Sequence, residues 1–245
     1  MKIQKERIDR LLVSRRLVQT REKAQALIME GKVLIKGIRV EKAGTFVPYD
    51  TPVEIISSLK YVSRGGLKLE EALKEFSPEL IGKVALDVGA STGGFTDCLL
   101  QHGIKKVYAV DVGYGQMDWK LRNDPRVVLI ERTNIRRMES ELVHDHIDIG
   151  VIDVSFISLL KVLPKVREFL TQEGRVIALI KPQFELEPCD VGKGGIVRKE
   201  EKKLKAKEKI RLAAEYIGFA VKGLIKSPIK GSKGNEEYLI YLSKI

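Results

Sequence analysis

The chain has 245 residues, 44% of them hydrophobic, with a formal net charge of +11. That length suits one large domain or one large and one small, and the charge points to a polyanionic partner, either nucleic acid or an anionic membrane surface. No apolar run approaches the ~18–20 residues that span a bilayer, the opening residues lack the apolar core of a signal peptide, and Cys98 and Cys189 are too few for a disulfide framework, so a cytoplasmic protein with free thiols is expected.

The basic excess is densest at the start, where residues 1–60 carry 13 Lys and Arg against 7 Asp and Glu. Residues 7–13 put Ile8, Leu11 and Leu12 on one helical face. A second helix is predicted over 20–30, with Ala24, Leu27 and Ile28 sharing a face, Thr20 capping its start and Gly31 its end. Residues 32–40 read as a strand, a turn at Lys36-Gly37 and another strand. Together these make a small α+β module, 1–58. Its stretches 7–12, 20–31 and 33–42 resemble the small RNA-binding domain first recognised in ribosomal small-subunit protein four. The resemblance implies that Arg7, Arg10, Arg15, Arg16, Arg21, Lys23 and Lys32 lie on or near an RNA-facing surface, contacting phosphates and reading shape. The competing reading of each is a solvated helix face.

Residues 59–63 are a predicted connector, with the polar Ser57-Ser-Leu-Lys60 leading into it, and 64–245 a second domain in which strands and helices alternate. Its first helix carries Lys68, with Leu69, Leu73 and Phe76 on the buried side. An apolar strand then ends at Asp87 and Gly89 and dissolves into Ala-Ser-Thr-Gly-Gly-Phe95 before a helix running through Leu99. Without side chains at Gly89, Gly93 and Gly94, backbone amides can approach a ligand, and the helix offers its N-terminal dipole. The spacing G-x-x-x-G-G is not the dinucleotide G-x-G-x-x-G. With an acid at the strand end, it resembles the first motif of methyltransferases that use S-adenosylmethionine.

Further strands are predicted over 106–110, before Asp111, over 127–130, over 147–152, before Asp153, over 175–180, before Lys181, and over 220–224 and 238–242. Helices are predicted over 116–121, 159–170 and 199–217. The expected fold is α/β: a Rossmann-like, mostly parallel seven-stranded sheet covered on both faces, with the strand-end polar residues converging on one edge. Asp111 is placed to accept ribose hydroxyls, of S-adenosylmethionine or of a dinucleotide. Thr133 and Asn134 either border an adenine or simply cap their loop. The predicted donor set is Asp87, Gly89, Ser91, Thr92, Gly93, Gly94, Phe95, Asp111 and Asn134.

Asp153, Lys181 and Glu237 each end or begin an apolar strand, and Lys68 closes the Ser63-Arg-Gly-Gly-Leu-Lys stretch that opens a helix. This Lys-Asp-Lys-Glu set resembles the tetrad of FtsJ-type RNA ribose 2′-O-methyltransferases, and the phrases around it resemble the TlyA family, which joins that domain to the RNA-binding module. The resemblance implies that the four are catalytic, that S-adenosylmethionine is the cofactor, and that the target is a cytidine 2′-oxygen in ribosomal RNA or ribosomal subunits. The short lead before the first module favours the large subunit. At the connector, Ser58-Leu-Lys-Tyr-Val62 stands where some relatives have an Arg- and Trp-containing linker. A ribose hydroxyl is a poor nucleophile, so rate must come largely from alignment with the donor methyl. Lys181 either positions that hydroxyl or takes its proton: Asp153 and Glu237 favour its charged form, burial and Lys68 the neutral amine.

Other chemistries fit less well. Base amino groups are usually methylated beside an Asp/Asn-Pro-Pro-aromatic loop, and Asp153-Val-Ser-Phe156 has the ends without the prolines. Carbon-5 methylation needs a cysteine nucleophile; Cys189 reads as a loop thiol and Cys98 as core. His102, His144 and His146 are not at ligand spacing, so no metal site is expected. The charged segment 199–209 either adds to the RNA surface or, since its opposite charges recur at helical spacing, forms a solvated helix face, which the spacing favours, and Gly192-Lys-Gly-Gly195 is a candidate loop for closing over substrate. Two competing functions are membrane attack, since family members are also described as haemolysins, and an RNA-binding assembly factor with a dormant donor pocket. The sequence opposes the first, having neither a spanning helix nor an alternating barrel series.

Overall fold

The structure is a computed structural model describing residues 4–29, 31–56, 60–231 and 233–245. Glu30, Ser57, Ser58 and Leu59, at the end of the second predicted helix and around the predicted connector, lie outside the described residues. The chain divides into two units, 1–60 and 61–245.

The first unit runs β1 (Lys5–Arg7), α1 (Ile8–Ser14), α2 (Arg21–Met29), β2 (Val33–Ile35), β3 (Ile38–Arg39), β4 (Phe46–Pro48) and β5 (Val53–Ile55). Ile8, Leu11 and Leu12 of α1 meet Ala24 and Ile28 of α2, and Val33, Val40 and Val47 close the core. Lys36 and Gly37 have φ of +51° and +73°. Two consecutive left-handed residues make the hairpin turn whose twist matches the flanking strands. Thr20 Oγ1 accepts the Lys23 amide at 3.2 Å, capping α2. Two pairings were not legible beforehand: β1 runs antiparallel to β4, and β5 joins β2 and β3 in a three-stranded sheet.

Asp9 bolts this unit together. Fully buried, it takes Arg7 Nη2 and Arg21 Nε at 2.9 Å each and the Gln25 amide at 3.2 Å. The Arg7 hydrogen bonds, helped by Arg21 and Gln25, hold its carboxyl well below the usual carboxylate range despite burial.

The second unit runs α3 (Arg64–Phe76), β6 (Val84–Val88), α4 (Gly94–Gln101), β7 (Lys106–Val110), α5 (Trp119–Arg122), β8 (Val127–Ile130), β9 (Ile147–Ile152), α6 (Leu163–Phe169), β10 (Leu170–Ile180), α7 (Pro182–Glu185), α8 (Glu200–Tyr216), β11 (Phe219–Lys226) and β12 (Tyr238–Lys244). Seven strands form one sheet in the order β11-β12-β10-β9-β6-β7-β8, parallel except for β12, which is antiparallel to both neighbours. The Rossmann-like, mostly parallel sheet expected from the sequence is therefore present. Along β6, Val84, Leu86 and Val88 enter the core shared with α6 and α8, while Ala85 enters the one shared with α3 and α4. Both faces are thus covered, as the apolar runs required. From β6 the chain moves outward to β7 and β8, then returns to β9 on β6's other side. That reversal opens a crevice at the carboxyl ends of β6 and β9.

Three expectations need correction. Residues 159–170 are not one helix but a 3-10 turn, Leu159–Lys161, followed by α6, with Leu170 already paired to Ile147 as strand. Pro164 in the first turn of α6 is the reason, because proline starts a helix but cannot continue one. The helix over 116–121 is the shorter α5, N-capped by Asp118, which accepts the Lys120 amide at 2.9 Å. The lysines of α8 are not merely a solvated face. Lys202 and Lys205 hold Asp190, Lys203 holds Glu236, and Lys209 donates to the Glu185 carbonyl, so this face latches neighbouring loops.

Candidate active site

The glycine turn after β6 is shaped by close approach. Gly89 has a φ of +83°, and a Cβ there would stand 2.6 Å from the carbonyl oxygen of Asp153. Only glycine lets the ends of β6 and β9 run this close. Above the turn lies a cavity of about 1020 Å³, whose walls include Gly89, Ser91, Asp111, Asn134 and Asp153. It lies at the upper end of the roughly 300–1,000 Å³ of small-molecule sites. Asp111 spans it with both oxygens engaged, Oδ2 by the Ser91 amide at 2.8 Å and Oδ1 by the Gly113 amide at 2.7 Å. Asn134 Oδ1 accepts the Arg136 amide at 3.2 Å, so it caps its turn and lines the cavity at once. Thr92 is exposed, its carbonyl accepting the Asp118 amide at 3.2 Å.

Asp87, Thr92, Gly93, Gly94 and Phe95, predicted at the cofactor, are not among the residues of the cavity wall. A Cβ on Gly93 would meet Leu121 Cδ1 at 2.3 Å, and one on Gly94 would meet Ser63 Oγ at 2.2 Å and the Gly66 amide nitrogen at 3.0 Å. The second contact is where α3 and α4 pack together, and Phe95 is buried in the core beside it. These contacts pack the turn against its neighbours.

Asp87 sits fully buried beneath the turn. Its Oδ2 accepts the Thr96 hydroxyl at 2.6 Å, while Oδ1 has no partner. Burial, only partly offset by Thr96 and reinforced by Asp153, pushes its pKa up to about 7. An unpartnered buried carboxylate oxygen next to a roomy cavity suits a ligand with a cationic group.

The four charged residues gather as two pairs. Lys181 follows β10 and Asp153 follows the parallel neighbour β9; Lys181 Nζ lies 2.5 Å from Asp153 Oδ1 and donates to Ser155 Oγ at 2.9 Å. Lys68 on α3 places Nζ 2.6 Å from Glu237 Oε2. Because Tyr238 is opposite Ile180 in the antiparallel β10–β12 pairing, Glu237 and Lys181 enter at the same sheet edge.

Several site residues were not singled out from the sequence. Ser155 sits two positions past Asp153, and its hydroxyl between loop and strand end was the available signal. Glu185, 2% exposed, accepts from the Ser158 hydroxyl and, at 3.0 Å, from the Leu159 amide. Burial raises its pKa. Phe156 at the cavity wall has a φ of +64°, is exposed, and lies with its ring 5.0 Å from that of Phe184. Buried Asn235 accepts the Val197 amide at 2.9 Å and donates to the Gly195 carbonyl at 2.7 Å. It fastens the Gly192–Gly195 stretch, which is a turn closed by a Gly192–Ile196 bridge.

Comparison with known proteins decides what kind of site this is. Residues 61–244 match the FtsJ-like methyltransferase family and residues 6–48 the S4 domain. YqxC of Bacillus subtilis is 47% identical over 244 residues, covering 99% of this chain and 87% of that protein. The 16S/23S rRNA (cytidine-2′-O)-methyltransferase TlyA of Mycobacterium tuberculosis is 42% identical over 238 residues, covering 96% of this chain and 89% of that one. A solved structure from Streptococcus thermophilus, titled as a hemolysin, superposes with a TM-score of 0.78 at 44% identity, over 99% of this chain and 89% of that one. The chain belongs to the TlyA family.

As a TlyA-family protein it is an S-adenosylmethionine-dependent methyltransferase that carries an S4 RNA-binding domain. Within that S4 domain the seven expected RNA-facing cations differ in freedom. Arg7 and Arg21 are held by Asp9, and Arg15 donates to the carbonyls of Tyr49 and, at 2.6 Å, Thr51. Arg10, Arg16 and Lys23 are exposed, and Lys32 is half-buried. Among the described residues no helix is long and apolar enough to cross a membrane.

Proposed function

We propose that this TlyA-family protein methylates a cytidine ribose 2′-oxygen of ribosomal RNA, in the cytoplasm, on ribosomal subunits or their RNA. The observation that carries this reading is the two ion pairs, Lys181–Asp153 and Lys68–Glu237, at one edge of the sheet, with Asp153 lining the cavity. The names of the relatives support it, since the Mycobacterium tuberculosis TlyA is named for this reaction.

The cavity fits S-adenosylmethionine, which when bound supplies an electrophilic methyl group on a sulfonium. Gly89 and Ser91 would offer backbone approach, Asp111 would accept ribose hydroxyls, and Asn134 would border the base. Asp87, with its free oxygen, favours a cationic group nearby and is itself favoured as an anion once one arrives.

Methyl transfer forms an oxygen–carbon bond as the carbon–sulfur bond breaks, and the hydroxyl proton must leave. Lys181 is the group to orient that hydroxyl, its ammonium held by Asp153 and Ser155 so that it stays fixed while the acceptor is aligned. Glu237 anchors Lys68 and keeps the second positive charge in place. With both amines paired, the acids favour charged lysines. Lys181 therefore acts as a positioner, its ammonium orienting the hydroxyl oxygen, and the hydroxyl proton leaves to bulk solvent as the oxygen–carbon bond forms.

The test uses labelled donor, full-length protein and separated ribosomal subunits, followed by mapping of ribose methylation. One 2′-O-methylcytidine on one or both subunits is expected, and a 2′-deoxy acceptor at that position should take no label. Label on a base atom, or none on RNA, would overturn the proposal.

A further inference from the structure

Beside the Lys68–Glu237 pair, two loops bring together cations that no acid answers. The turn at residues 192–197 is stitched by buried Asn235 to a second loop, described at residues 229–231 and 233–235. The second loop lies directly on the site: a Cβ on Gly231 would stand 2.3 Å from Glu237 Oε1. Its Lys230 carbonyl accepts Arg64 Nη2 at 2.8 Å, from the first residue of the helix that carries Lys68. Lys233 Nζ reaches within 4.0 Å of where a Gly195 side chain would be, and Arg198 Nη1 within 3.8 Å of one on Gly192.

Lys193, Arg198, Lys230 and Lys233 are exposed, and among the described residues their side chains form no ion pair. Residues 191–199 and 226–235 contain no Asp or Glu. The nearest acids in sequence are already paired: Asp190 with Lys202 and Lys205, Glu200 with Lys203, Glu201 with Lys199, and Glu236 with Lys203 and Lys226. An acid-free group of exposed cations beside the Lys68–Glu237 pair suits an anion from outside.

We propose that Lys193, Arg198, Lys230 and Lys233 form a phosphate-binding rim that holds the RNA backbone on the β12 side of the acceptor ribose. The inference rests on the RNA methyltransferase reading above and gives the RNA a direction. The cavity opens over β6, β7 and β9, whereas the rim lies past β10 and β12. An acceptor nucleotide at Lys181 lies between them, with its donor on one side and its own chain running off over the rim. Flexible lysines fit this task, since they bind phosphates as point charges without demanding one backbone geometry.

The test compares the full-length protein with a triple Lys193→Ala/Lys230→Ala/Lys233→Ala variant and a matching triple Lys→Arg variant. Binding to purified ribosomal subunits is measured across salt, and S-adenosylmethionine affinity by calorimetry reports folding. Each lost phosphate contact removes roughly 0.7–0.9 from the slope of log affinity on log salt, so the alanine variant should lose about 2 from that slope and bind roughly tenfold more weakly at ~0.1 M salt. The arginine variant should stay near the unaltered protein, and donor affinity should not move. An alanine variant with unchanged RNA affinity and slope overturns the rim. So does one whose only defect is lost binding to phosphatidylglycerol vesicles. Failure of the unaltered protein to methylate RNA would sink the function reading alone, because the slope comparison needs no catalysis.

Discussion

Lys68 Nζ and Glu237 Oε2 stand 2.6 Å apart, buried, across 169 positions of sequence. This contact ties the first helix of the catalytic domain to the start of its last strand. Removing one partner leaves the other charge buried alone, which typically costs about 3–5 kcal/mol. Lys68→Met and Glu237→Leu should each lower stability in urea melts. The double variant should recover most of that loss yet transfer no methyl groups. Recovery of activity along with stability would make the pair a fold element only.

Gly89→Ala sets a methyl against the Asp153 carbonyl oxygen at 2.6 Å, at a φ of +83° where a side chain is strained in any case. β6 and β9 must then separate at the cavity floor. Donor affinity measured by calorimetry should fall at least tenfold, with the helical circular dichroism retained. An alanine variant that binds donor normally would mean that the turn does not shape the donor site.

Asp87 gives a pH signature. Its carboxyl rises from 3.8 to about 7 in the folded protein, mainly through burial. Between those values the folded state keeps a proton that the unfolded chain releases, so stability is fully present at low pH and falls as pH climbs through that window. Asp87→Asn, neutral throughout, should lack this decline. The melting temperature of the variant relative to the unaltered protein is expected to rise from pH 5 to pH 8. Parallel melting profiles would show that Asp87 is ionised in both states.

Asp9 acts with the opposite sign. Its carboxyl is held well below 3.8 by Arg7, Arg21 and Gln25, so its contribution is present above the unfolded value and is lost as pH falls. Asp9→Ala frees Arg7 and Arg21 and uncouples α1 from α2. RNA affinity should drop severalfold in filter binding, while S-adenosylmethionine affinity stays unchanged because the donor cavity belongs to the other unit. Equal loss of donor binding would contradict that separation.

The sequence made the sheet and the strand-end charges readable for one physical reason. Strands buried on both faces appear as apolar runs, and a charged residue closing such a run, as at Asp153 and Lys181, has only the sheet edge to occupy. Long-range partners left no such mark. Lys5–Arg7 is polar and three residues long, and its strand character comes wholly from pairing with Phe46–Pro48. Asp9 looked like an ordinary first-turn acid until α2 brought Arg21 to it. Gly94 carried the glycine signal of a ligand turn while serving the α3–α4 contact. Glu185 and Asn235 act by fastening loops, and nothing local distinguishes such residues from solvated ones.

Lys181 offers the most direct test, since its amine touches Asp153 and Ser155 at the sheet edge proposed to receive the acceptor hydroxyl. The measurement is the single-turnover rate of methyl transfer to ribosomal subunits by Lys181→Ala, with donor affinity measured in parallel. Loss of the positioning group should slow transfer by about 10²-fold or more, with donor binding intact. A folded, donor-binding Lys181→Ala protein that methylates RNA at the unaltered rate would contradict the account.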